Sequence, residues 1–432
     1  MVATPPEALA RGAVVGVEFP RGRHAHEDGL PLMPKGARLP AEKLAEAVNL
    51  VQALDIEVLH SESVSLSRIN PSTLIGGGVV ERLAAMVQEL ELEVVVVDAA
   101  LSPRQQRELE VALKAKVLDR TGVILDIFAR RARTRAGQLQ VEAAQLAYQQ
   151  SRLVRMWSHL ERQRGGMGKT GGPGERQLEL DKRILKSRLA KVRADLREVE
   201  QTRGLQRMAR QKADVPTVAL VGYTNAGKST LFNRLVDAGT LMADALFATL
   251  DPLMRRLKLP SGLEVVLVDT VGFIADLPHE LVEAFKATLE EVVMADLLVH
   301  VHDLSNPEML AQADDVRFVL AQIGAADKRV LDVYNKMDAA GSAAPRGGIG
   351  VSAMTGKGVD GLLEAITERL QEDWQAMEVE VSAADGRRLA WLHAHGDVVA
   401  QRLDGETWTL MVKLRAGDLS AWRQMVENDH QQ

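Results

Sequence analysis

The chain has no cysteine in its 432 residues, which excludes disulfides and thiolate metal sites. No apolar run approaches the roughly 18 residues that a membrane-spanning helix needs. The start, Met1-Val2-Ala3-Thr4-Pro5-Pro6, has no basic segment followed by an apolar core, so no secretory signal is expected. No lipidation signal or amphipathic insertion helix is legible either. A cytoplasmic location fits these absences, with peripheral membrane association as the one membrane-linked option. What is present is globular in character, with 46% hydrophobic and 26% charged residues. The length exceeds what one ordinary core organises, so about two to four domains are expected.

The net charge of −6 conceals an asymmetry. From Ser151 to Lys212 there are 17 Lys and Arg against 7 Asp and Glu, a local +10, which leaves −16 for the remainder. A basic block inside an acidic protein suits a polyanion, although a solvated helix face has the same composition. Its one aromatic residue is Trp157, so base stacking is not the main term in any nucleic-acid contact.

Strand and helix patterns alternate before this block. Ala13 to Val17 reads as a strand, Ala41 to Leu54 as a helix, Ile56 to Leu59 as a short strand, Val79 to Glu91 as a helix and Val94 to Val97 as a buried strand. Ser102-Pro103 opens a third helix, by an N-cap and a first-turn proline. The alternation implies a small parallel α/β domain ending near Phe128. Within the block, Leu139, Ala143, Leu146, Leu153, Trp157 and Leu160 follow heptad spacing, and so do Leu178, Leu185, Leu189, Val192, Leu196 and Val199. Two such helices around the glycine-rich break from Gly165 to Gly174 predict an antiparallel hairpin with an open tip. Arg207 to Asp214 reads as a polar linker. Strands are then expected at Thr217 to Val221, Glu264 to Val268, Leu297 to Val301, Val330 to Tyr334 and Gly348 to Val351. Trp408 to Val412 signals one more in a small C-terminal appendage.

Gly222-Tyr223-Thr224-Asn225-Ala226-Gly227-Lys228-Ser229 fits G-x-x-x-x-G-K-S/T between a strand and an amphipathic helix that opens at Thr230. Backbone N–H groups of such a loop wrap phosphates, and the helix N-terminus adds partial positive charge. Lys228 is placed to reach the terminal phosphates and Ser229 to ligate Mg²⁺. Asp269-Thr270-Val271-Gly272 follows a strand about 40 residues later. Its carboxylate can hold Mg²⁺, and the Gly272 N–H can meet the γ-phosphate. Asn335-Lys336-Met337-Asp338 matches N-K-x-D. Asp338 can accept from guanine N1–H and the 2-amino group, a donor pair that adenine lacks, while the Lys336 stem covers the ring. Ser352-Ala353 can reach the guanine O6 through backbone. Each motif alone is common. In this order, at successive strand ends, they point to GTP and GDP rather than ATP.

Several stretches then resemble the HflX-type GTPases, the branch close to Obg. They are Val117 to Ala129, Gly165 to Gln177 with Leu178-Glu179-Leu180-Asp181, Phe247 to Pro252, Asp269 to Ile274, and Leu277 to Phe285. The resemblance implies that Thr249 is the switch threonine that meets Mg²⁺ and the γ-phosphate. It also implies binding to the large ribosomal subunit, with the N-terminal region on ribosomal RNA, and rescue of stalled ribosomes by splitting them. Two departures stand out: Arg176 where the family usually has Thr, and Leu253-Met254 in place of two threonines. Asn225 is similar to the asparagine of K⁺-activated GTPases, which makes K⁺ a second candidate ion beside Mg²⁺.

The expected fold is therefore α/β. A P-loop GTPase domain (213–375) is joined to an N-terminal α/β domain (1–130), a basic helical hairpin (131–212) and a small C-terminal domain (376–432). The chain is expected to act as a monomeric GTP hydrolase, with Lys228, Thr249 and Gly272 as the catalytic set. The nucleotide is expected to meet Asn225, Ala226, Gly227, Ser229, Thr230, Asp269, Asn335, Lys336, Asp338, Ser352 and Ala353. Expected RNA contacts are Gly166, Gly168, Lys169, Gly172, Gly174, Arg176, Lys182, Arg183 and Lys186. Phe273 occupies the position where many GTPases carry a water-orienting Gln, which predicts slow intrinsic turnover. The competing reading is a GTP-dependent switch that binds a protein partner rather than ribosomal RNA, with a hairpin that only braces its neighbours. Gly76-Gly77-Gly78 could approach a phosphate in the N-terminal domain, but no P-loop lysine follows it.

Overall fold

A computed structural model describes residues 9–19, 39–163, 173–212, 215–236, 247, 249, 252–275, 286–340, 344–345 and 347–429. The first unit contains β1 (Ala10–Glu18), α1 (Pro40–Gln52), β2 (Ile56–Ser65), α2 (Gly77–Glu89), β3 (Val94–Asp98), α3 (Pro103–Leu113), β4 (Lys116–Asp119) and α4 (Arg120–Arg131). Its strands form a parallel sheet in the order β2-β1-β3-β4. The inner strands read Ala13-Val14-Val15 and Val94 to Val97, apolar without alternation, because helices cover both faces. Ser102 caps α3 in a reciprocal box with Gln105, and Pro103 sits in the first turn. Strand β2 continues six residues past the predicted Leu59, paired along β1 to Ser65. Its second half, His60 to Ser65, carries too few apolar residues to signal a strand.

Two long helices follow, α5 (Arg135–Gln163) and α6 (Pro173–Lys212). Leu139, Ala143 and Leu146 of α5 meet Leu189 and Val192 of α6, with Leu185, Leu196 and Val199 at the margin. These are heptad positions on both helices, as the periodicity predicts. Arg188 clamps Glu142 across the pair at 2.8 Å. The opposite face of α5 buries Val141, Ala144 and Tyr148 against the first unit. Two boundaries need correction. Pro173-Gly174 begins α6 rather than ending a loop, since proline is tolerated in a first helical turn. The supposed linker from Arg207 is helical to Lys212, because Arg, Met, Ala, Gln and Lys are all good helix formers and polarity alone ends nothing.

The third unit runs β5 (Thr217–Gly222), α7 (Lys228–Leu235), β6 (Leu253–Lys258), β7 (Glu264–Asp269), α8 (Lys286–Met294), β8 (Leu297–Asp303), α9 (Met309–Gln322), β9 (Val330–Asn335), β10 (Ile349–Gly350) and α10 (Val359–Leu370). Its sheet order is β10-β9-β8-β5-β7-β6. All neighbours are parallel except β6, an antiparallel edge strand with three exposed polar positions that sequence reading missed. The chain closes with β11 (Gln375–Ser382), α11 (Gly386–His395), β12 (Asp397–Asp404), β13 (Thr407–Leu414) and α12 (Ala416–Asp429). The three strands make an antiparallel sheet, β11-β13-β12, over Leu392, Leu410, Val412 and Trp422.

One apolar core crosses from the first unit into the third. It joins Leu50, Val51, Ile124 and Phe128 to Val221, Phe247, Phe273, Ile274 and Val316. At its centre the Phe128 ring meets Phe247 edge to face, centroids 4.6 Å apart. Phe128→Ala is expected to lower stability by about 3–5 kcal/mol. Urea unfolding followed by circular dichroism checks this; a loss under about 1 kcal/mol would show that the two units do not share the core.

Candidate nucleotide site

The ends of β5, β7, β9 and β10 open on one side of the sheet, and each predicted motif lies there. Gly222 ends β5 at φ 153°, and a Cβ on it would stand 2.3 Å from the Val301 carbonyl oxygen. Gly227 sits at φ 87°, in the left-handed region, with Asn335 Nδ2 2.2 Å from where its Cβ would be. Only glycine allows both approaches. Asn225 also adopts a left-handed backbone, φ 61°, a conformation asparagine tolerates well, and its side chain is exposed. The loop therefore turns sharply and starts α7 at Lys228, leaving that helix N-terminus aimed into the site.

Lys228 is buried, and its Nζ donates to the carbonyls of Gly222 at 3.1 Å and Tyr223 at 2.8 Å. Burial pulls its pKa down to about 8, against the opposing pull of Asp269. Asp269 is itself buried, and burial pushes its carboxyl up despite hydrogen bonds from Thr249 and Ser229. Thr249 Oγ1 donates to Asp269 Oδ2 at 2.6 Å and lies 2.8 Å from Ser229 Oγ. Asp269 Oδ1 is buried with no partner. The result is a set of hard oxygen atoms around an orphaned carboxylate oxygen, which suits a hard divalent cation. A cation beside Asp269 and an anion beside Lys228 would each restore the charged form that burial disfavours.

Switch-side backbone closes against the loop. Phe273 N donates to Gly222 O at 3.1 Å, and Thr224 N donates to Phe273 O at 2.7 Å. A Cβ on Gly272 would lie 3.0 Å from Lys228 Nζ, so that carbon faces the ammonium directly. The Phe273 ring itself is buried in the shared core.

On the far side, Asn335 Nδ2 donates to Ala226 O at 2.9 Å, and its Oδ1 accepts from Ala353 N at 3.0 Å. That one amide ties the phosphate-side loop to the strand-end loop after β10. Lys336 pairs with Asp303 at 2.9 Å, and Asp338 is exposed. Ser352 and Ala353 are buried, and Ser352 Oγ accepts from Thr355 N. Thr230 is half-buried in the first turn of α7. The remaining predicted set lies elsewhere. Lys182, Arg183 and Lys186 are exposed on α6, and Gly174 and Arg176 lie in its first turn. Gly166, Gly168, Lys169 and Gly172 lie outside the described residues, as does the stretch Leu277 to Phe285.

Sequence reading missed a link from this site to the first unit. Tyr223, inside the loop, donates its hydroxyl to Glu46 Oε2 at 2.5 Å and accepts from Ala275 N at 2.9 Å. Arg120 bridges Glu46 and Asp98, the latter at 2.7 Å, and donates to the Ala275 carbonyl at 3.0 Å. A buried arginine inside the apolar run Val117 to Phe128 was the available signal.

Family models match the chain in four consecutive segments. Residues 41–129 match "GTP-binding GTPase N-terminal", 131–210 "GTP-binding GTPase Middle Region", 217–336 "50S ribosome-binding GTPase", and 339–426 "HflX C-terminal domain". A GTPase HflX of Magnetococcus marinus is 51% identical over 406 residues, 92% of this chain and 94% of that one. The chain belongs to the HflX family of GTPases. Another family member, GTPase HflX of Escherichia coli, is 46% identical over 355 residues, 80% of this chain and 83% of its own. Among solved structures, a GTP-binding protein of Sulfolobus solfataricus in complex with GDP covers 84% of this chain and 99% of its own. At 20% identity and a TM-score of 0.43 that likeness adds nothing further. As an HflX GTPase the chain hydrolyses GTP, and the fold is that of a P-loop GTPase with N-terminal and C-terminal extensions.

Gly227→Ala combines a left-handed backbone with a clash at Asn335. It is expected to weaken guanine-nucleotide binding by at least about 100-fold, equivalent to about 2.7 kcal/mol. Fluorescent-GDP titration measures this, and near-parental affinity would mean that the loop does not wrap the phosphates.

Proposed function

We propose that this HflX-family GTPase acts on the large ribosomal subunit and splits stalled ribosomes, with the α5–α6 hairpin against ribosomal RNA. The observation that carries the reading is the exposed basic face of α6, Lys182, Arg183 and Lys186, on a chain whose hydrolase segment matches a ribosome-binding GTPase description. Lysine and arginine there would neutralise backbone phosphates, and the glycine-rich tip would let main chain approach bases closely. In this reading 1–130, 131–212, 213–375 and 376–432 are separate domains, and the protein works as a cytoplasmic monomer. Among the described residues no helix is long and apolar enough to cross a membrane.

At the nucleotide, backbone N–H groups of residues 225 to 230 hold the phosphates, and Lys228 supplies a fixed positive charge at the terminal ones. Ser229, Thr249 and Asp269 would hold Mg²⁺, whose charge would offset what builds up on the phosphate oxygens. The Gly272 N–H meets the γ-phosphate. Asp338 accepts the two guanine donors, the Lys336 stem covers the ring, and Ala353 offers backbone near O6. Exposed Asn225 is free to add a K⁺ ligand beside the phosphates. Phe273, buried and apolar, cannot orient the attacking water, so binding is strong and the chemical step slow until a partner orders the switch around Thr249.

A second reading is supported by Leu180 and Ile184, an exposed apolar pair one turn apart on α6. Such a pair suits a protein partner rather than RNA. Co-sedimentation with ribosomal subunits separates the readings. With Lys182, Arg183 and Lys186 replaced by Glu, association with the large subunit should vanish while GTP binding stays. Ribosome-independent, RNase-insensitive capture by a protein would replace the first reading by the second.

Asp338→Asn removes the ionised acceptor. It should weaken GTP binding and move preference towards xanthosine nucleotides; unchanged GTP affinity would sink this assignment of the loop. Large subunits should raise single-turnover cleavage by about 100-fold, a change of about 2.7 kcal/mol in the barrier. Cleavage that is rapid in the isolated protein and indifferent to subunits would rule out both the slow step and the activator.

A further inference from the structure

Strands β8 and β9 carry a cluster that the nucleotide site leaves unused. His300 and His302 are two residues apart on β8, so their rings share one face of the sheet. The register of β9 sets Asp332 opposite His300. Asp332 Oδ1 lies 2.8 Å from His302 Nε2 and 3.4 Å from His300 Nδ1. The three atoms all fall within 4.8 Å of one another. Both rings are buried, while the Asp332 side chain is 38% exposed, so the cluster has a solvent-facing side. Tyr334 stacks on His302 with centroids 4.9 Å apart and walls one flank.

A purely hydrogen-bonded account is incomplete. Only His302 meets the carboxylate at ordinary hydrogen-bond length; buried His300 Nδ1 faces the same oxygen at 3.4 Å, longer than a normal N–H···O bond. Buried ring nitrogens are normally paired, so a carboxylate oxygen facing two imidazole nitrogens with one bond of normal length calls for a reason. We propose that His300, His302 and Asp332 form a binding site for one Zn²⁺-class divalent ion, held by His300 Nδ1, His302 Nε2 and Asp332 Oδ1, with a fourth position on the exposed side.

The geometry suits that ion. Tetrahedral Zn²⁺ with bonds of about 2.0–2.1 Å needs ligand atoms about 3.3 Å apart, and the two observed spacings to Asp332 bracket this value. Imidazole nitrogens favour Zn²⁺, whereas the oxygen set of Ser229, Thr249 and Asp269 favours Mg²⁺, so the two sites differ in chemistry as well as place. An ion here would brace β8 to β9 beside the guanine-side segment, since Asp303 follows His302 and pairs with Lys336, and Tyr334 precedes Asn335.

The test uses the full chain with saturating Mg²⁺ and GDP, so that the oxygen-lined site is occupied. ZnCl₂ is titrated by calorimetry, and Co²⁺ by visible absorption. The absence of cysteine removes thiolate competitors. Expected are one ion per chain, tetrahedral Co²⁺ bands, and at least about tenfold weaker binding in His302→Gln and in Asp332→Asn, with GDP affinity retained. No Zn²⁺ binding in the micromolar range would overturn the proposal, and so would parental binding in either variant. Asp332→Asn, at the exposed edge, decides the matter alone should His302→Gln fail to fold.

Discussion

A single buried guanidinium holds the molecule's two α/β units in register. Arg120 stands between Glu46 and Asp98 of the first unit and donates to the Ala275 carbonyl of the third. Taking that charge out of water is unfavourable unless it is paired and hydrogen-bonded, and two carboxylates plus a carbonyl meet its two terminal nitrogens. Tyr223 completes the arrangement from the phosphate-side loop, bonding Glu46 and the Ala275 N–H. Both backbone polar groups of Ala275 are thus held by side chains, one from α4 and one from the loop. Backbone motion after Gly272 must break or carry these bonds, so the first unit feels whatever the nucleotide does to that segment.

The nucleotide site follows a complementary logic. Lys228 and Asp269 are both shifted towards their uncharged forms by burial, and the nearby charge of each only partly offsets that cost. Ligands that supply a phosphate at one and a cation at the other relieve both at once. A ligand with an anionic and a cationic part is therefore favoured here by desolvation as well as by contacts.

Much of this is legible in the sequence. Strand–loop–helix patterns placed Gly222 to Ser229, Asp269 to Gly272 and Asn335 to Asp338 at strand ends, because glycine and N-cap chemistry constrain those turns locally. Heptad spacing likewise located the seam through Leu139, Leu146, Leu189 and Val192. What escaped was decided by partners distant in the chain. Strand β6 exists through its pairing with β7, and Leu253 to Lys258 has no apolar alternation to announce it. Tyr223 occupies a variable position of its motif, and its role depends on Glu46, 177 residues away. Polarity from Arg207 onwards suggests a linker, whereas helix propensity carries α6 on to Lys212.

The length of α6 has a mechanical consequence. At 1.5 Å per residue, its 40 residues span about 60 Å. Its C-terminal end stops shortly before β5, the strand that delivers Gly222. Its seam with α5 is centred near Val192, which leaves an arm of about 30 Å on either side. A tilt of about 5° about that seam would sweep each end through about 2.5 Å. A displacement at the end beside β5 would therefore reappear about 60 Å away, similar in size and opposite in sense.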